Sequence, residues 1–397
     1  MAQSTGTATL PWRLNWIVII NSLMMLLYHA TGNGALGLVG NAFSAIVVIY
    51  LLFNVLTSPE ILSRYGALLI LLTVALAGTL IVNVGKTDPV DFLKYMSLYV
   101  LFFAGTISPQ RGIMGWSSAA VLLIIPLILL PIGSRVYTGS TVLEEASFSY
   151  FQTRNAATIY FTALIFCLVP ILGWLAIPIQ MLSCLLLGKI GPMLASSAAV
   201  AVWNIRPNLA SLGVLVGGAV IGAVAYFIGL LQRAVDVIGP LYRDLFLLGP
   251  TVIGLMSYGE IVRRAGSTDV SGYFRIKHWV EIWQIYSSAG LDHILFGYGP
   301  GQSKLITTAL LVPHNDYLRV LVEFGVFNLI CFLTLLIIII LRLPSKITKS
   351  LFTVYVIYSF TDNMIDNFSS MVLLFAGAGL YARGNILESD IQREEPA

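Results

Sequence analysis

Long apolar runs separated by short polar stretches alternate along most of the chain. The runs 67–84 and 326–341 are almost continuously apolar, and each approaches the roughly 20 residues that cross a bilayer as a helix. Barrel strands would be shorter and would alternate every second residue, so the pattern predicts helices. Spans are expected near 14–30, 35–57, 66–84, 91–108, 113–134, 156–172, 174–188, 191–203, 208–231, 318–341, 350–361 and 367–382, which makes about twelve. The expected fold is all-α, a polytopic transmembrane helical bundle, with residues 1–397 forming a single integral membrane domain. The first run follows a short polar start containing Arg13, and no small-residue cleavage pattern succeeds it. It reads as a retained helix rather than a signal peptide.

One stretch breaks the alternation. Residues 232–317 hold Arg233, Arg243, Arg263, Arg264, Arg275, Lys277 and Lys304 among aromatics and glycines. A connection of that length is functional or disordered, and this one is too rich in Trp, Tyr, Ile and Leu for disorder. The spacing of Ile276, Trp279, Val280 and Trp283 predicts a helix with one apolar face, suited to a membrane interface. The segment is expected to be a large, partly helical loop before the tenth span.

Composition agrees with membrane. The chain is 57% hydrophobic and 10% charged, against about 25% charged in soluble domains. Its net charge of +3 comes without a basic stripe interleaved with aromatics, so nucleic acid is not an expected partner. Cys167, Cys184 and Cys331 lie inside apolar runs and read as packing residues. Placing both termini in the cytoplasm puts Arg13, Arg64, Arg111, Arg206, Arg342, Lys346, Lys349 and Arg383 inside. The outer side then receives Lys86, Lys94, Arg135, Arg154, Lys189 and the loop 232–317.

Several outer residues are candidates for chemistry. His314 follows Pro313 and precedes Asn315 and Asp316, a helix-start pattern. A helix N-terminus disfavours the imidazolium, and a neutral imidazole can act as a general base; the alternative is a histidine that only caps the helix. Arg275 stands four residues before Trp279, so the ring could pack on its stem and leave a fork for phosphate oxygens. On spacing alone, an arginine snorkelling to lipid headgroups is the favoured reading of Arg275. Arg154, with Asn155, and Lys189 lie beside spans on the outer face, against the charge bias, as if meeting an anionic ligand. Gly297-Tyr298-Gly299-Pro300-Gly301 reads as a tight turn. Glu144 and Glu145 read as a solvated pair. His29, His278 and His293 have no metal-ligand spacing, and Asp362 with Asp366 makes a poor metal site.

In this order and spacing the residues resemble the O-antigen ligase and O-antigen polymerase superfamily. The likeness rests on Arg275 with Trp279, Phe296-Gly297-Tyr298-Gly299, His314-Asn315-Asp316-Tyr317-Leu318, Glu323 and Gly325, together with Arg154-Asn155-Ala156 opening a central span. Where many members carry a Ser-Arg-Gly block, this chain has Gly188-Lys189-Ile190, which keeps a charge but loses the planar fork.

The resemblance implies a membrane glycosyltransferase whose donor is an undecaprenyl diphosphate-linked glycan. It needs neither metal nor cofactor, lies in the bacterial inner membrane and has its active site facing the periplasm. His314 would activate an acceptor hydroxyl. Arg275, Arg154, Lys189, Asn155, Asn315 and Trp279 would line the substrate site, and a chain-length co-polymerase is a candidate partner. A polymerase would extend a surface polysaccharide with further repeat units; a ligase would transfer the glycan to lipid A–core. A lipid-linked glycan transporter or flippase is the alternative from another class, although no internal repeat supports it.

Overall fold

The computed structural model describes residues 34–108, 154–186, 190–204, 232–266 and 270–383, besides the single positions 20, 24 and 227. Among these residues there are helices and no strands. The helices are α1 (Gly34–Leu56), α2 (Pro59–Val82), α3 (Pro89–Thr106), α4 (Arg154–Cys167), α5 (Ala176–Leu186), α6 (Ile190–Asn204), α7 (Gln232–Leu255), α8 (Tyr258–Ala265), α9 (Ser271–Ser287), α10 (Leu291–Phe296), α11 (Asp316–Arg342), α12 (Lys346–Tyr358) and α13 (Phe368–Arg383). Three of them, in α1, α2 and α11, are long and apolar enough to cross a membrane. A fourth is reached if α4 and the stretch Val169–Cys184, bent by 60°, count as one broken span. The expected spans near 14–30, 113–134 and 208–231 lie almost wholly outside the described residues.

Several helices begin where the sequence caps them. Ser58 accepts from the Ile61 N–H at 3.4 Å ahead of Pro59, and Asp88 accepts from Val90 at 2.9 Å ahead of Pro89. Each cap takes up an N–H that the first turn leaves unpaired, and proline at the first position has no N–H to lose. Ser345 and Thr348 form a reciprocal capping box at the start of α12.

The main core joins α1 to α4 with α11, α12 and α13 through buried aromatics, among them Tyr95, Phe102, Phe166, Phe332, Phe352, Tyr355 and Phe375. Helices α3 and α13 touch backbone to backbone at Gly105 and Gly379, where a Cβ on either residue would strike the other helix's main chain. In lipid, such small-residue contacts replace the hydrophobic driving force available in water.

The stretch α7–α10 has cores of its own. Ile253, Met256, Ile261, Ala265 and Tyr273 pack together, and Ile282 and Tyr286 pack with Val322 of α11. Helix α9 is thus held on two sides, and its buried residues are Tyr273, His278, Ile282 and Tyr286. That differs from the single face expected from Ile276, Trp279, Val280 and Trp283. Trp283 is exposed, because a helix clasped between two neighbours buries apolar residues on more than one face.

Candidate functional site

Helix α11 is kinked at a break in its backbone. At Gly325 φ is +83°, outside the range that side-chain-bearing residues favour. The break is where the Gly297–Gly299 turn docks. Tyr298 donates its N–H to the Val322 carbonyl at 2.9 Å, and Gly299 donates to the Glu323 carbonyl at 3.0 Å. A Cβ on Gly325 would enter the Leu295–Phe296 main chain, and one on Gly297 would enter the Glu323–Phe324 main chain. Polar side chains fill in around the break. Thr79 and Asn328 donate to the Phe324 carbonyl at 3.1 and 2.9 Å, and Asn83 donates to the Gly297 carbonyl at 3.0 Å. Two motif pieces that lie apart in the sequence form one rigid joint.

A buried ionic network sits beside the joint. Arg319 is buried, with Asp91 at 3.2 Å, Glu323 at 3.3 Å and Asp366 at 2.8 Å. Lys94 bridges Asp91 at 3.0 Å and Asp366 at 2.8 Å, and Ser303 donates to Glu323 at 2.5 Å. Lys304 reaches Asp88 at 3.5 Å. Burial opposes the charge on Asp366, but Arg319 and Lys94 outweigh it and hold the carboxyl well below the usual range. The network ties α3, the 300–304 turn, the first turns of α11 and the 359–367 loop together.

On that foundation His314 is held from three directions. Asn315 caps α11 by accepting from the Leu318 N–H at 3.0 Å. Asp316 fastens the same turn to the 359–367 loop: its N–H donates to Ser359 at 2.8 Å and its carboxylate accepts from Met364 at 2.9 Å. Helix α9 clips the segment leading into the histidine. His278 Nε2 bonds the Leu311 carbonyl at 3.0 Å, Trp279 donates to the Pro313 carbonyl at 2.5 Å, and Glu281 accepts from the Thr308 N–H at 2.7 Å. Burial pushes His278 below the ordinary histidine range, against the pull of Leu311 and Glu281, so it serves as a neutral donor. His314 itself has φ +49°, a left-handed conformation that surrounding structure must impose on a residue with a side chain.

The side chain of His314 points to Asp362. Its Nδ1 lies 3.4 Å from Asp362 Oδ1, and the Asn363 amide is 3.5 Å away. In the neutral tautomer that directs Nδ1–H at the carboxylate, Nε2 carries the lone pair, and it has no hydrogen-bond partner among the described residues. The other carboxylate oxygen, Oδ2, accepts from Tyr358 at 3.2 Å and stands 3.8 Å from Arg275 Nη2. Asp362 is 6% exposed, whereas His314 and Arg275 are 32% and 29% exposed. An inward carboxylate thus anchors two outward-facing groups. Burial works against the charge on Asp362. The His314 bond, the Arg275 charge and the Asn363 N–H overcome it and hold the carboxyl below its ordinary range. Arg275 makes no hydrogen bond among the described residues, so its guanidinium donors remain open to a planar anion.

The expected site residues divide clearly. His314, Arg275 and Trp279 meet around one loop. Trp279 makes no cation–π contact with Arg275 among the described residues; its ring meets Phe360 edge-on at 5.5 Å, and its N–H holds Pro313. Asn315 is buried and uses its side-chain oxygen as a cap. Arg154 and Asn155 open α4, which packs on α12 and α13, the helices flanking the 359–367 loop. Lys189 lies outside the described residues, as do Glu144 and Glu145. Just beyond it, Gly191 packs near Tyr358 and Thr361 of the site.

Sequence reasoning missed the role of Asp362, which it set aside as half of a poor metal site. Asp362 and Asp366 in fact face different partners. Arg319 and Glu323 carried a signal: two ionisable residues one turn apart at the head of an apolar run are paired or functional. No protein-family model matches the chain, and no curated protein matches it.

Proposed function

We propose that the protein is a membrane glycosyltransferase that polymerises undecaprenyl diphosphate-linked repeat units into a surface polysaccharide at the periplasmic face of a bacterial inner membrane. In this reading about twelve helices cross the bilayer, and the 232–317 segment lies outside with the 359–367 loop. The observation that carries the proposal is the meeting of His314 and Arg275 on the two oxygens of Asp362. One offers an open ring nitrogen and the other an open guanidinium, side by side on a shared anchor.

The chemistry follows from those two groups. The acceptor hydroxyl gives its proton to His314 Nε2 as its oxygen forms a bond to the donor's anomeric carbon. The bond from that carbon to the diphosphate oxygen breaks, and the electron pair leaves with the lipid diphosphate. Arg275 meets the growing charge there. A fixed cation of this kind lowers a barrier by about 3–4 kcal/mol when it matches an oxyanion-hole donor, and a positioned base contributes roughly 10²–10⁴-fold. Arg154, Asn155 and Lys189 are assigned to the donor's remaining phosphate and sugar oxygens. Polymerisation is favoured over ligation because the 297–313 approach to His314 is compact and pinned by α9.

The experiment offers the purified protein, in nanodiscs, a defined undecaprenyl diphosphate oligosaccharide with and without lipid A–core. Lipid-linked dimers and longer chains in both mixtures are the expected result. Products only on the core would make it a ligase. Substrate crossing vesicle membranes with no new glycosidic bond would overturn the transferase reading.

A further inference from the structure

The Arg275–Asp362 pair is the loosest contact that Asp362 makes. At 3.8 Å it exceeds hydrogen-bond reach, while the same carboxylate accepts from Tyr358 at 3.2 Å and from the Asn363 N–H at 2.9 Å. The two oxygens are divided between tasks: Oδ1 faces His314 and the Asn363 N–H, and Oδ2 faces Arg275 and Tyr358. A partly exposed guanidinium that makes no hydrogen bond among the described residues, parked opposite an anchored carboxylate, is arranged to change partners.

We propose that Asp362 is a stand-in anion for the donor's diphosphate: it holds Arg275 in the empty site and yields it when phosphate oxygens arrive. This rests on the reading of Arg275 as a diphosphate ligand. A bidentate phosphate contact is shorter and stronger than the loose ion pair it replaces. Once Arg275 turns to the diphosphate, His314 no longer shares the carboxylate with a guanidinium, while Tyr358 and the Asn363 N–H keep the carboxylate in place. The ring is then held most firmly when a donor is present, which links donor binding to orientation of the base. Asp362 is a positioning residue in this scheme, since it acts through His314 and Arg275 rather than on the sugar.

The scheme predicts opposite signs for affinity and turnover. Asp362→Asn removes the competing charge and should bind inorganic diphosphate about threefold more tightly, within the range for a partly exposed ion pair. The same variant should turn over at least tenfold more slowly at saturating donor, because His314 has lost its anchor. A residue with only a structural role would weaken both. The measurements are calorimetric titration of the full chain in detergent with inorganic diphosphate, and turnover with the lipid-linked donor. Asp362→Ser repeats both should the amide variant not fold. Unchanged or weaker diphosphate binding in both variants, with binding still abolished by Arg275→Ala, would overturn the stand-in role and leave the function of Arg275 intact. Wild-type affinity in Arg275→Ala would overturn this scheme and the transferase reading together.

Discussion

Trp279 donates its indole N–H to the carbonyl of Pro313, the residue immediately before His314. The bond joins α9, which carries Arg275, to the segment that carries the histidine. It acts at a point of strain, because His314 sits at φ +49° and Leu310, four residues earlier, at φ +53°. Left-handed conformations of this kind persist only where neighbours enforce them.

Trp279→Phe keeps an aromatic ring beside Phe360 and deletes only the donor. The expected outcome is a fall in kcat of about tenfold, the value of one lost hydrogen bond, with donor KM within about twofold. Steady-state kinetics on the lipid-linked donor measure both. A large rise in KM with unchanged kcat would instead place the indole on the substrate.

Arg319 lies under three carboxylates, and removing it leaves Asp91, Glu323 and Asp366 without their shared cation. Breaking a buried pair from one side costs about 3–5 kcal/mol. Arg319→Met is therefore expected to lose most folded protein, read as the monodisperse fraction after detergent extraction and as the thermal midpoint. Arg319→Lys should fall between. A wild-type midpoint for Arg319→Met would show that the network is not what joins α3, α11 and the 359–367 loop.

The acid limb of stability has a predicted shape. Asp362 and Asp366 are held below the ordinary carboxylate range in the folded protein. Their contribution is fully present above about pH 4, where the unfolded carboxyls ionise, and is lost as pH falls through the lower folded values. His278 is also held low. It accepts a proton more readily when unfolded, so stability begins to fall below about pH 6.5. Thermal midpoints between pH 7 and pH 3 should show a shallow early decline and a steeper late one. His278→Gln should remove the first and Asp366→Asn should blunt the second. A single flat profile to pH 3 would contradict both assignments.

Among the described residues, the sequence disclosed long apolar helices but not what links them. The run expected at 35–57 appears as α1, Gly34–Leu56. The one expected at 66–84 begins earlier, at Pro59, because Glu60, Ser63 and Arg64 make the first turns of α2 polar and hide its start. Gly325 falls just before an apolar run that reads as uninterrupted, since hydropathy carries no information about φ. His314 and Arg275 were visible through their neighbours in the chain. Asp362 was not, because its partner lies 48 residues away and an isolated carboxylate near a span end has no local signature. Long-range pairing of that kind is set by how α9, α11 and α12 pack, not by periodicity.

The most direct test is turnover of a defined undecaprenyl diphosphate oligosaccharide by the reconstituted protein, compared among wild type, His314→Gln, Arg275→Ala and Arg275→Lys. The account predicts chain extension by wild type, loss of about 10²–10⁴-fold in His314→Gln, a comparable loss in Arg275→Ala and partial recovery in Arg275→Lys, with all four equally folded. Wild-type turnover in His314→Gln, or no glycosidic bond formed by any of the four, would contradict it.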